Sequence, residues 1–148
     1  MTREDLILYC TASFRKYFDA CGIGLPVRYM QQGPEDEDKI EDEVQVIFGY
    51  EFPDWGSRNE MYMVLNVRCL VKTKQVPTDI YYHTRLKARV VDKLSRYINV
   101  TKIGSPGLNK SQVGQLRPLP SSTLMVDPAQ VDNPNASVVE AVFEFQSC

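Results

Sequence analysis

Apolar side chains recur at Ile7, Cys10, Phe14, Tyr17, Phe18 and Cys21, the three-and-four spacing that lines one face of a helix. The pattern predicts a helix over 3–21. Thr2 is its expected N-cap, Asp5 completes a variant of the capping box, and Glu4 and Asp5 suit the positive end of the helix dipole. Gly22 ends it, because Ile23-Gly24-Leu25-Pro26 cannot continue a helix. Residues 27–30 alternate as a short edge strand does. The Gly33-Pro34 turn then leads into 35–43, where seven acids accompany only Lys39 and Ile40. Like charges repel there, which predicts a solvated loop.

Residues 44–52 are rich in β-branched and aromatic side chains and run up to Pro53, the signature of a strand. After turn chemistry at 54–59, residues 61–71 predict a second, longer strand. One of its faces carries Met61, Met63, Leu65, Val67, Cys69 and Val71 and is the expected core face. The other carries Tyr62, Val64, Asn66, Arg68 and Leu70, mixed in a way that suits packing against a helix or a neighbouring subunit. A second helix is expected from an N-cap at Thr78 or Asp79 to about Tyr97, with Leu86, Val90, Leu94 and Ile98 every four residues and Tyr82, Val91 and Tyr97 widening the stripe. Residues 99–103 read as a short strand or the helix exit and 104–114 as a polar loop. Further apolar segments lie at 113–119 and 123–126, and a turn at 127–136 leads to a closing strand over 137–145. In that strand Val139, Ala141, Phe143 and Phe145 point one way and Glu140 and Glu144 the other. Strands that come in runs joined by turns predict an α+β fold: one domain with a mixed, mostly antiparallel sheet flanked by two α-helices.

Length and composition narrow the function classes. The chain has 148 residues, 17 Lys and Arg against 19 Asp and Glu, and a pI near 5.4. That length supports a core without staples, and the balance leaves no surplus of cations for a surface built wholly on phosphate. No apolar run approaches the roughly 18 residues of a membrane span, and the opening Thr2-Arg3-Glu4-Asp5 does not look like a secretory signal, so a cytosolic protein is expected.

Candidate chemistry is sparse. Cys10, Cys21, Cys69 and Cys148 form no CxxC pair. Cys10 and Cys21 on one helix would lie about 16 Å apart, too far for a disulfide, so reduced, structural thiols are expected. His83 is the single histidine and cannot alone supply a zinc site. It reads as a surface or interface histidine, with a Cys69–His83 dyad as the alternative. The acidic run lacks the spaced ligands and central glycine of a calcium loop, and Gly22-Ile23-Gly24 is followed by Leu25-Pro26, which blocks a phosphate loop. The expectation is a protein that is not an enzyme and uses no cofactor or metal.

Charge is unevenly placed. Residues 35–60 hold ten acids against Lys39 and Arg58, whereas 85–102 hold Arg85, Lys87, Arg89, Lys93, Arg96 and Lys102 against Asp92. Such polarity suits a subunit whose basic helix meets a copy's acidic loop head to tail. Two unrelated solvated faces are the plainer alternative.

The whole pattern resembles the small tail terminator and head–tail joining (neck) proteins of tailed bacteriophages. The resemblance rests on the amphipathic helix through Phe14, Tyr17 and Phe18, the paired strands at 44–52 and 61–71, the polar exit Lys72-Thr73-Lys74, the helix at 79–97 and the terminal strand at 138–145. It implies a virion protein assembled in the host cytoplasm as a ring, commonly a hexamer. The ring caps the tail tube, contacts tube or sheath protein, and joins the neck or connector, with genome DNA passing through its channel without sequence-specific binding. Subunit contacts are expected at Glu35, Asp36, Glu37, Asp38, Glu41 and Asp42 on one side and at Arg68, Arg85, Arg89, Lys93 and Arg96 on the other. One alternative is a head-completion or neck adaptor on the portal side. Another is a small nucleic-acid-binding domain that pairs the basic helix with Tyr81 and Tyr82 as stacking aromatics. No membrane partner is expected.

Overall fold

The computed structural model describes residues 2–30, 42–53, 62–73, 81–102, 112–119, 124–126 and 136–147. The order is α1 (Arg3–Asp19), β1 (Val27–Met30), β2 (Glu43–Glu51), β3 (Val64–Lys72), α2 (Tyr82–Leu94), β4 (Ile98–Thr101), β5 (Gln112–Pro118), β6 (Leu124–Val126) and β7 (Ala136–Ser147). This is the α+β architecture expected, a mixed and mostly antiparallel sheet with two helices.

The sheet follows the path β1-β2-β3-β7-β5-β4. β7 is its spine. One edge pairs with β3 from Ala136 to Glu144, and the other takes β6 at Val138–Glu140 and β5 at Phe143–Ser147. β2 and β3 form a nine-residue antiparallel ladder from Glu43 opposite Lys72 to Glu51 opposite Val64. β1 lies parallel to β2, with Val27 opposite Val44. Parallel neighbours need a crossover, so the segment 31–42, which contains most of the acidic run, makes that connection.

α1 starts on the capping box that its sequence encodes: Thr2 Oγ1 accepts from the Asp5 N–H at 3.1 Å, and Asp5 Oδ2 accepts from the Thr2 N–H at 3.0 Å. Gly22 follows the helix with φ +64°, a conformation that side chains with a Cβ rarely adopt. α1 touches both edge strands. At one edge the Tyr29 hydroxyl of β1 donates to Asp19 at 2.9 Å, and the Arg15 guanidinium sits 4.5 Å from the centre of the Tyr29 ring. At the other, the Thr101 N–H of β4 donates to Ser13 Oγ at 3.1 Å. One helix can meet both edges only if the sheet curls around it, and the core fills that concavity.

Phe14 is at the centre of the core, fully buried, stacked on Phe18 at 5.3 Å and edge-on to Phe48 and Phe143. Truncating such a ring costs roughly 3–5 kcal/mol. Leu6, which the helical pattern did not single out, is as buried as Phe14, while Ile7, Tyr17 and Cys21 are half-buried at the rim. α2 lies against β7 and β3 and buries Leu86, Val90 and Leu94 in the same core, and the Tyr17 hydroxyl of α1 donates to the Lys93 carbonyl at 2.8 Å.

Several boundaries differ from expectation. α2 ends at Leu94 instead of about Tyr97, because the Ser95 hydroxyl and N–H turn back onto Val91 and Asp92 and release the chain so that Ile98 and Val100 enter the sheet. Ile98 thus matched the helical spacing but is a strand residue. At its other end α2 is capped by Tyr81, which makes no side-chain cap hydrogen bond; Thr78 and Asp79 lie outside the described residues. Gln112–Gly114 belong to β5, not to the polar loop, and Ala136 opens β7. Glu43 belongs to β2, not to the acidic loop. The rest of the three expected connections, 35–41, 104–111 and 127–135, lies outside the described residues. No helix among the described residues is long and apolar enough to cross a membrane.

Candidate functional site

Both helices lie against one face of the sheet, so the other face is the surface on which the strands present their outward residues. Alternation along β2, β3, β5 and β7 builds it from Glu43, Gln45, Ile47, Gly49, Asn66, Arg68, Arg117, Glu140, Val142 and Glu144. Three arginine–glutamate pairs run across it. Arg28 Nη2 donates to Glu43 Oε1 at 2.9 Å, and Gln45 Nε2 donates to the same oxygen at 2.6 Å, which satisfies a buried carboxylate. Arg68 lies directly opposite Glu140, 3.6 Å away, with both side chains about half exposed. Arg117 Nη2 donates to Glu144 Oε1 at 2.7 Å, while the Tyr62 hydroxyl donates to Oε2 at 2.8 Å. Burial alone favours the protonated form of Glu144, but the Tyr62 and Arg117 bonds outweigh it and hold the carboxyl below its usual range. Between the pairs, Ile47, Gly49, Asn66, Arg68, Glu140 and Val142 edge a shallow cleft of about 280 Å³. Gly49 faces Asn66 across β2 and β3, and the missing side chain helps to open the cleft.

This face is less apolar than the residues of β3 alone suggest. Leu70 is fully buried and forms a small second cluster with Ala136 and Val138, and Lys72 is also buried.

The second surface is the outer flank of α2. Tyr81, Arg85, Arg89 and Asp92 recur at four, four and three residues, which places them on one stripe, and all are exposed. Tyr81 is 64% exposed. Arg96 follows the C-cap, is exposed, and lies near enough to the Tyr17 hydroxyl to favour its ionised form, although burial and the nearby Cys21 push that phenol up to about 12. Arg89 Nη1 donates to the Ile23 carbonyl at 3.2 Å. That bond holds the turn carrying Gly24, whose φ is +96°, and it orients the guanidinium without neutralising it. Lys93 differs from the expected ridge residues: it is half-buried, beside Tyr17.

Of the residues expected at subunit contacts, Arg85 and Arg89 share the α2 stripe, Arg96 is exposed just past the end of the helix, and Arg68 stands on the outer sheet face. Asp42 is half-buried just before β2; Glu35, Asp36, Glu37, Asp38 and Glu41 lie outside the described residues. Tyr82 is half-buried against the core and is not an exposed stacking ring.

One cluster was not anticipated. His83, in the first turn of α2, places Nδ1 2.8 Å from Thr73 Oγ1 and Nε2 2.8 Å from Ser137 Oγ. Both hydroxyls are buried. Burial and Lys87 one turn on lower the histidine's pKa. The signal was available in the parity of β7: Ser137 shares the inward face with Val139 and Ala141, so a polar group there needs a partner inside. His83 is thus a tie between α2 and the β3–β7 pair, not a surface histidine, and both ring nitrogens are engaged by hydroxyls instead of by Cys69. Cys10, Cys21 and Cys69 are not in disulfides, and burial pushes Cys10 up to about 12, well away from the thiolate that reactivity requires.

No family model matches the chain, and no curated protein matches it either.

Proposed function

We propose that this chain is a ring-forming structural subunit of a phage virion, the tail terminator that caps the tail tube and joins it to the neck or connector. The observation that carries the reading is an exposed arginine-bearing stripe on α2, on a chain whose acid-rich segment is the connection between β1 and β2. The acid-rich connection 31–42 leaves and re-enters the sheet at its β1–β2 edge, and the arginine flank lies on α2. Complementary patches at different places on a subunit favour head-to-tail association, which closes into a ring when the rotation closes. The order helix, three strands, helix, strands is that of the phage proteins the sequence resembles and supports the same reading. A hexamer, contacts to tube or sheath protein, and passage of genome DNA through the channel follow from that resemblance. The role is mechanical.

Light scattering of the purified protein, together with electron microscopy of virus particles, tests this. A closed ring in solution or at the tail–neck junction is expected. A protein that stays monomeric and is absent from particles overturns it.

A second reading has one observation in its favour. Tyr81 and Tyr97 are both strongly exposed, at the two ends of α2, and flank the arginines as stacking platforms would in a single-strand-binding surface. Salt-dependent retention of a short single-stranded oligonucleotide distinguishes it.

A further inference from the structure

We infer that exposed Arg89 on α2 and Arg96 just past its end form the docking site for the acidic segment 35–41 of a second copy of this chain. The inference rests on the ring reading and names its contact.

Three observations support this occupant. The first is charge. Between Arg85 and Lys102 the only acid is Asp92. Among the described residues Arg89 and Arg96 form no ion pair; the Ile23 carbonyl that holds Arg89 is neutral, so the guanidinium is pre-oriented with its charge uncompensated. Multiple carboxylates on one short segment complement that flank, and their mutual repulsion is relieved by docking there.

The second is which acids remain for a partner. Glu43 is used at home, buried against Arg28 and Gln45, and pins the downstream end of the run to β2. Glu35, Asp36, Glu37, Asp38 and Glu41 precede that anchor.

The third is reach. Met30 lies opposite Ile47, four residues past Glu43, so the connection has to bridge about 13 Å along the strands. Its twelve residues, 31–42, can extend to roughly 40 Å. A contour length about three times the span leaves a chain long enough to reach beyond its own sheet. Each subunit then offers one segment and accepts one.

The test uses full-length chains sized by light scattering, with circular dichroism as the folding control. One variant reverses the flank (Arg89→Glu, Arg96→Glu), a second reverses the segment (Glu35→Lys, Asp36→Lys, Glu37→Lys, Asp38→Lys), and a third carries both sets. The wild type is expected to form a ring that dissociates in high salt. Each single-surface variant is expected to be monomeric alone, an equimolar mixture of the two to recover an alternating ring of even order, and the doubly reversed chain to assemble by itself. The segment variant changes no described residue, so the test survives misfolding of the flank variant. Rings formed by both single-surface variants alone overturn the inference and leave the ring reading standing. So does a mixture that stays monomeric, or a flank reversal that abolishes oligonucleotide retention and spares assembly. A monomeric wild type absent from particles overturns the ring reading itself.

Discussion

The Ser13 hydroxyl of α1 accepts a 3.1 Å hydrogen bond from the backbone N–H of Thr101, 88 residues further along the chain. Thr101 stands at the irregularity in β4 where the ladder with β5 shifts register, so its N–H is directed at the helix. A buried serine on the core stripe of α1 is therefore the attachment of the helix to the sheet's far edge.

Ser13→Ala removes this acceptor and leaves a part-buried N–H unsatisfied. A loss of about 1–2 kcal/mol is expected in urea unfolding, with no change in secondary structure. An unchanged midpoint contradicts the attachment.

Two glycines separate packing from surface. A Cβ on Gly114 would run into the Gln146 carbonyl and the Phe145 ring, neither of which can retreat from the β5–β7 ladder. Gly114→Ala is expected to lower stability by more than about 2 kcal/mol. A Cβ on Gly49 meets Asn66 Cβ at 3.7 Å, an ordinary contact. Gly49→Ala is expected to be neutral or slightly stabilising by thermal unfolding, since alanine orders a strand better than glycine does. Equal effects at the two sites would contradict this packing.

The single histidine gives one clean titration. Burial and Lys87 hold the folded-state pKa of His83 below its usual 6.5, so the unfolded chain takes up the proton more readily. Its contribution to stability is complete above pH 6.5 and is lost as the pH falls from there through the folded-state value. Proton NMR of the ring is expected to show a midpoint below 6.5, and His83→Gln to flatten the pH dependence of unfolding in that window. A midpoint at or above 6.5 contradicts the buried tie to Thr73 and Ser137.

Much of this architecture was readable in the residues. The Thr2–Asp5 capping box, the Phe14–Phe18 stripe and the inward row of Val139, Ala141, Phe143 and Phe145 are local periodic signals, and each element formed where its period predicted. The errors arose where tertiary packing overrode a local period. Ile98 continued the helical spacing of α2 yet is buried in β4, and Gly114 looked like loop chemistry when its role is to let β5 approach Phe145. Pairings across the chain have no local signal, which is why the His83–Ser137 and Arg68–Glu140 contacts and the parallel β1–β2 pairing were not foreseen. The arginines of α2 were legible as a charge pattern, but only the fold shows that Lys93 is half-buried.

On the proposed reading, one subunit carries two complementary surfaces and assembles head to tail into a closed ring. The most direct measurement is the mass and shape of the native protein, by light scattering and electron microscopy, at low and high salt. A closed ring of defined order that dissociates as ionic strength rises is expected. A monomer at every concentration and salt, with no ring of this protein at the tail–neck junction of particles, would contradict it.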